Sequence, residues 1–133
     1  MDTINLQIPS LSENIRIVES FIDNIKEQYH INEDIYGNVL VAVTEAVANA
    51  IFHGNASNPD KNVALSVTFL EEAVSFIVRD EGNGFDYHQT PDPVSPENLD
   101  KIGGRGIFLI KHLADEVHFR EEGREIEMIF YMK

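Results

Sequence analysis

There is no cysteine in these 133 residues, which excludes a disulfide framework and a thiolate nucleophile. Basic residues are scarce as well: 10 lysines and arginines stand against 23 acids, for a formal charge of -13 and a pI near 4.6. A surface of that sign repels phosphate backbones and anionic lipid, so neither nucleic acid nor membrane is expected as a direct partner. The start, Met1-Asp2-Thr3-Ile4, has no basic stretch followed by an apolar one, and no apolar run is expected to span a membrane. The expectation is a cytoplasmic protein. At this length, with 43% hydrophobic residues, a single domain over residues 1–133 with one core is expected.

What is present is organised around residues 39–54. From Val39 to Phe52 every residue is apolar or small except Thr44, Glu45 and Asn49. At 3.6 residues per turn, Glu45 and Asn49 stand one above the other on one face of a helix. Asn is a poor helix former and an unpaired Glu is costly to bury. Two readings follow: a core helix with one wetted stripe, or a helix that presents a carboxylate and an amide to a cation or polar ligand.

The remaining chain reads in order as follows. Thr3 to Ile8 alternates polar and apolar residues until Pro9, the pattern of an edge strand. Ser10 or Ser12 can cap a helix with apolar positions Ile15, Val18, Phe21, Ile22 and Ile25, continuing to Tyr29. Asn32, followed by Glu33 and Asp34, starts the long helix, and Gly54 in the left-handed conformation is expected to end it. Asn55 to Asn62 is a loop by composition. Val63–Leu70 and Val74–Val78 read as an antiparallel hairpin across Glu71, Glu72 and Ala73. Residues 86–102 hold three prolines and no sustained period, the composition of a lid or binding loop, with one short helix that Ser95 can cap and Pro96 begin. A helix with Ile107, Leu109, Ile110 and Leu113 on its buried face follows, then strands at Val117–Arg120 and Glu125–Met132 about Gly123. This order predicts an α+β fold, a two-layer α/β sandwich with helices on one face of a mostly antiparallel sheet.

Two more stretches carry chemistry. Asp80, Gly82 and Gly84, before Phe85, sit at a strand end. Alternate glycines let backbone approach a ligand, and an acceptor-only carboxylate suits an exocyclic amine such as that of adenine; a glycine turn whose Asp bonds its own backbone has the same pattern. Gly103, Gly104, Arg105 and Gly106 open a helix, where exposed N–H groups, the helix dipole and a guanidinium can receive a polyphosphate. A loop end with a solvated arginine is the plainer alternative.

Taken together and in this order, Glu45 and Asn49 with His53 and Gly54, then Asp80, Gly82, Gly84 and Phe85, then Gly104, Arg105 and Gly106, resemble the asparagine box and two glycine boxes of the histidine-kinase-like (GHKL) ATPase superfamily. Within it, Thr44-Glu45-Ala46-Val47 through Asn49-Ala50 to His53-Gly54, and the run Gly106-Ile107-Phe108-Leu109-Ile110, are most similar to the bacterial anti-sigma factor serine/threonine kinases. The resemblance implies the Bergerat-type sandwich, ATP and Mg2+ as cofactors, and phosphorylation of a STAS-domain anti-anti-sigma protein. It also implies a sigma factor as a second partner, and a homodimer.

By position, it makes Asn49 the Mg2+ ligand and Glu45 the general base for a serine hydroxyl. Asp80 becomes the acceptor for the adenine amine, with Gly82 and Gly84 admitting the base. Gly104, Arg105 and Gly106 contact phosphates under a lid at about 86–102. His53, at a helix C-terminus, is accounted for by the dipole. Arg16, on the polar face of the first helix, is placed to meet an acidic partner. A different class of function, a nucleotide-gated binding module that sequesters a partner without phosphoryl transfer, uses the same residues.

Overall fold

The computed structural model describes residues 3–82 and 104–132. Their elements run β1 (Thr3–Pro9), α1 (Ile15–Tyr29), α2 (Glu33–Asn49), β2 (Asn62–Leu70), β3 (Ala73–Arg79), α3 (Gly104–Leu113), β4 (Glu116–Arg120) and β5 (Glu125–Tyr131). The strands form one antiparallel sheet in the order β1-β2-β3-β5-β4. This is the expected α+β sandwich, with β1 at an edge, where its terminal proline is tolerated. Gly84, the segment 86–102 and Gly103 lie outside the described residues, as does the side chain of Arg105.

The period of two in each strand decides which face is covered. Val63, Leu65 and Val67 of β2, Val74, Phe76 and Val78 of β3, and Ile126, Met128 and Phe130 of β5 are buried. They join Val18, Ile22 and Ile25 of α1, Val39, Val43 and Val47 of α2, and Ile107 and Ile110 of α3 in one cluster. Phe76 and Phe130 meet edge to face, 5.9 Å between centroids, an arrangement favoured by the ring quadrupoles. Each such fully buried side chain contributes about 1.5–3 kcal/mol relative to exposure. The other sheet face is polar: Glu125 is held between Arg79 and Arg120, and Arg120 also bonds Glu127 at 2.5 Å. These pairs tie the ends of β3, β4 and β5 together just before Asp80.

Asn32 caps α2 as its sequence position predicts, its side chain accepting from Asp34 N at 2.8 Å. α2 with its final turn, Glu33–Gly54, is long and apolar enough to cross a membrane by length and composition alone, mean hydropathy 1.5, contrary to the expectation that no run approaches that length. Part of that apolarity goes to the core, where Val39, Val43, Val47 and Ile51 are fully buried, while Val41 and Phe52 are exposed.

Two local expectations are corrected. Neither Ser10 nor Ser12 caps α1, which begins without a side-chain cap after a 3-10 turn at Ser12–Asn14. Ser10 is instead buried, its hydroxyl donating to the Lys61 carbonyl at 2.6 Å. Nor does Gly54 turn left-handed. The α-helix stops at Asn49 and Ala50–Gly54 widens into a π turn, with Asn55 N donating to Ala50 O at 2.8 Å. The positive φ angles fall later, on Ala56 and Ser57. Such π turns concentrate at functional sites, and here the turn brings Gly54 against Asp80.

Candidate functional site

α2 contributes Glu45 and Asn49, one turn apart and both half-buried. The start of α3 packs onto them at Gly106. A Cβ built there would stand 2.7 Å from Asn49 Nδ2 and 3.1 Å from Glu45 Oε2. Any larger residue would push the Asn49 amide aside, and the absent side chain lets the first turn of α3, with its unpaired N–H groups, approach the carboxylate and the amide directly. Asn49 Nδ2 is buried and has no hydrogen-bond partner among the described residues. An unpaired buried amide end costs about 1–3 kcal/mol, so this group is placed to meet something that the described residues do not supply.

The second pole lies at the end of β3. Asp80 N donates to Arg124 O at 2.9 Å, continuing the β3–β5 pairing by one residue. Its carboxylate accepts from Gly82 N at 2.8 Å through Oδ1, the local Asp turn that the sequence left open. The turn and a ligand-accepting role coexist, because Oδ2 makes no hydrogen bond with a described residue. Gly54 and Gly82 are required by contact. A Cβ on Gly54 would lie 2.4 Å from Asp80 Cγ, and one on Gly82 only 1.8 Å from the Gly54 carbonyl oxygen. The π turn after α2 and the 80–82 loop are therefore in backbone contact, which fixes Asp80 relative to the helix that carries Asn49.

The residue that sequence reasoning passed over is Asn55. By composition it is only the first residue of a loop, yet it is 1% exposed. Nδ2 donates to Ser10 Oγ (2.8 Å) and Asn62 O (3.0 Å), and Oδ1 accepts from Glu81 N (2.7 Å). The available signal was its place immediately after Gly54, at the end of the apolar helix. His53, by contrast, is exposed on the π turn, as a histidine placed by the helix dipole can be.

Burial is the main influence on Asp80 and raises its pKa above the ordinary carboxylate value, against the Gly82 N–H and the charges of Arg124 and Lys61, which lower it. A carboxyl whose folded pKa exceeds its unfolded one contributes stability that is complete below the unfolded pKa and is lost as pH rises through the folded one. At neutral pH ionised Asp80 thus costs the ligand-free protein stability. Asp80→Asn keeps an oxygen for the Gly82 N–H, so calorimetry is expected to show a higher Tm than wild type at pH 7. That advantage should shrink as pH falls into the acid range. The same variant loses the charged acceptor for an amine and is expected to bind ATP about 10- to 100-fold more weakly. A Tm at pH 7 below that of wild type would refute the stated balance.

A half-buried carboxylate just past the end of β3, joined through glycine contacts to an amide and a carboxylate on α2 and a helix start on α3, is an arrangement that can receive a nucleotide. Residues 8–130 match the histidine kinase-like ATPase domain family. The chain is 30% identical over 141 residues to serine-protein kinase RsbW of Staphylococcus aureus strain JH9, covering 99% of this chain and 88% of that protein. The chain is a histidine kinase-like ATPase domain of the RsbW family. The strain Newman protein of the same name aligns with it equally. In fold, this RsbW-family chain matches a crystal structure of the RsbU and RsbW domains of Rv1364c from Mycobacterium tuberculosis, with TM-score 0.72 at 12% identity. That alignment covers 99% of this chain and 32% of the other, so this chain spans about a third of it.

Of the residues singled out in the sequence, Glu45, Asn49 and Gly106 come together at one pole and Asp80 and Gly82 at the other, with Gly54 joining them. Gly104 and Arg105 begin α3 beside the first pole.

Proposed function

We propose that this chain is an ATP-dependent protein-serine/threonine kinase that acts as an anti-sigma factor by partner switching, with a STAS-domain anti-anti-sigma protein as its substrate. The observation that carries the reading is the convergence of Glu45 and the unpartnered Asn49 amide on the glycine start of α3. The residues fit Mg-ATP. Asn49 offers a hard cation an oxygen ligand without added charge, since its carboxamide can turn either end to the site. Asp80 receives the adenine amine, Gly104 and Gly106 present backbone N–H groups to phosphate, and Arg105 is the nearest guanidinium in the sequence to bear on the terminal phosphate. Mg2+ bound at Asn49 supplies charge neutralisation to the phosphate oxygens. Glu45, one turn before Asn49, takes the proton of the serine hydroxyl at its carboxylate as the serine oxygen bonds to the γ-phosphorus of ATP, the bond from that phosphorus to the bridging oxygen breaks, and ADP leaves.

Release follows from charge. A phosphoserine adds close to two negative charges to the partner at neutral pH, and this protein carries a formal charge of -13. The phosphorylated partner is repelled and dissociates, while a sigma factor can take its place. Arg16 and Ile17, both exposed on α1, supply a cation and an apolar contact for such a partner. The active form is proposed to be a cytoplasmic homodimer, with residues 86–102 as the lid over ATP.

The metal assignment is tested by Asn49→Ala. Titration calorimetry is expected to show Mg-ATP affinity reduced by at least about tenfold, the usual cost of disturbing a metal site, while the fold survives because Ala is the better helix former. Unchanged Mg-ATP affinity would remove Asn49 from the site.

A further inference from the structure

Three successive backbone N–H groups shape the loop that carries Asp80, and each has a different anchor. Asp80 N is bound to Arg124 O in the sheet, and Gly82 N to the Asp80 carboxylate itself. Glu81 N, between them, is held by the side chain of Asn55 at 2.7 Å. Asn55 reaches the loop from the π turn that ends at Gly54, so its amide is a polar strut between the α2 side of the site and the Asp80 side. The far end of the strut is pinned by Ser10 Oγ and Asn62 O, and Ser10 in turn by Lys61 O. Glu81 adds a second tie to the same segment, its Oε1 accepting from Asn62 N at 2.8 Å. Two of the three bonds of this nearly inaccessible amide hold backbone directly, at Asn62 O and Glu81 N, and the third reaches the Ser10 hydroxyl; a buried amide is retained at such a position only when its bonds are made.

We infer that Asn55 is a positioning residue that sets the aim of the Asp80 carboxylate, and through it the preference of the site for adenine over guanine nucleotides. The inference rests on the nucleotide reading given above. A carboxylate accepts from the amino group of adenine, whereas guanine presents a carbonyl oxygen at the corresponding edge, and two acceptors repel. Discrimination of this kind is large when the acceptor is held in place and small when it can swing away from the wrong base. Gly54 and Gly82 bring the two backbones into contact but exert no pull. Asn55 supplies the attraction that keeps Glu81, and hence Asp80, in register with that contact.

The test is calorimetric Kd for Mg-ATP and for Mg-GTP, with Tm, on the full chain as wild type, Asn55→Ala, Asn55→Asp and Ser10→Ala. Wild type is expected to prefer ATP. Asn55→Ala is expected to weaken ATP binding and lower the ATP-to-GTP preference by about tenfold, the effect of losing one directing hydrogen bond. Ser10→Ala disturbs the far end of the strut only, and is expected to lower Tm while keeping the preference. Asn55→Asp retains the oxygen facing Glu81 N, so it too keeps the preference, and it decides the matter where Asn55→Ala fails to fold. A preference unchanged in Asn55→Ala, lost equally in Ser10→Ala, or lost in Asn55→Asp overturns the inference. Wild-type protein that binds neither nucleotide overturns the nucleotide reading itself, and the inference with it.

Discussion

Glu45→Ala is expected to bind Mg-ATP with wild-type affinity and to transfer its phosphate about 100- to 10,000-fold more slowly, the range a positioned general base commands. The separation of binding from chemistry follows from where Glu45 stands. It lies one turn before Asn49 on α2, with Oε2 beside the start of α3. Asp80 and its glycine contacts belong to the opposite pole and are untouched by the change. Removing a half-buried carboxylate from a helix interior in favour of alanine improves helix propensity, so loss of activity will not reflect loss of fold. Calorimetry for binding and initial rates of label transfer on the same preparation check both halves. Transfer at the wild-type rate would place the base elsewhere.

Gly82→Ala is expected to be among the most damaging single-methyl additions to this chain. The added carbon would lie 1.8 Å from the Gly54 carbonyl oxygen and 2.5 Å from its carbonyl carbon. Both are backbone atoms, so relief requires the π turn and the Asp80 loop to move apart, breaking the Asn55 bond to Glu81 N. Overpacking of this kind costs about 1–3 kcal/mol, a large part of the stability of a small domain. Nucleotide binding should fall with it, because Asp80 moves with the loop. Gly37→Ala is the internal control: Gly37 is exposed inside α2 and an added Cβ meets nothing within 4 Å. That variant is expected to gain about 0.5–1 kcal/mol from helix propensity. Denaturant melts of the two variants are expected to move in opposite directions, and a Gly82→Ala midpoint equal to wild type would contradict the backbone contact.

The fold was legible where the pattern is local and repeated. The alternation in β1, β2 and β3 marked those strands, and Asn32 ahead of two acids marked the start of α2. Part of the candidate site was legible too, because Glu45 and Asn49 sit at helical spacing and Asp80 and Gly82 at a strand end. What local pattern does not carry is contact between distant segments. Gly54 reads as a left-handed helix end until its neighbour Asp80, far along the chain, is placed against it, and the same contact explains Gly82. Ser10 reads as a cap because caps are local, whereas its partners are Lys61 and Asn55. Asn55 reads as loop because its three hydrogen bonds run to residues on other elements. The Arg79, Glu125, Arg120 and Glu127 network likewise depends on the register of β3, β4 and β5, which no single strand encodes.

The central claim is that Glu45, Asn49 and Asp80 form an ATP site whose purpose is to phosphorylate another protein. It is tested most directly by incubating the purified chain with Mg-ATP labelled at the γ-phosphate and lysate of the source cell, and identifying what becomes labelled. The account predicts one small STAS-domain protein labelled on serine by wild type and not by Glu45→Ala. Nucleotide bound, with no protein labelled above the Glu45→Ala background, would contradict it and would identify a nucleotide-gated binding module instead.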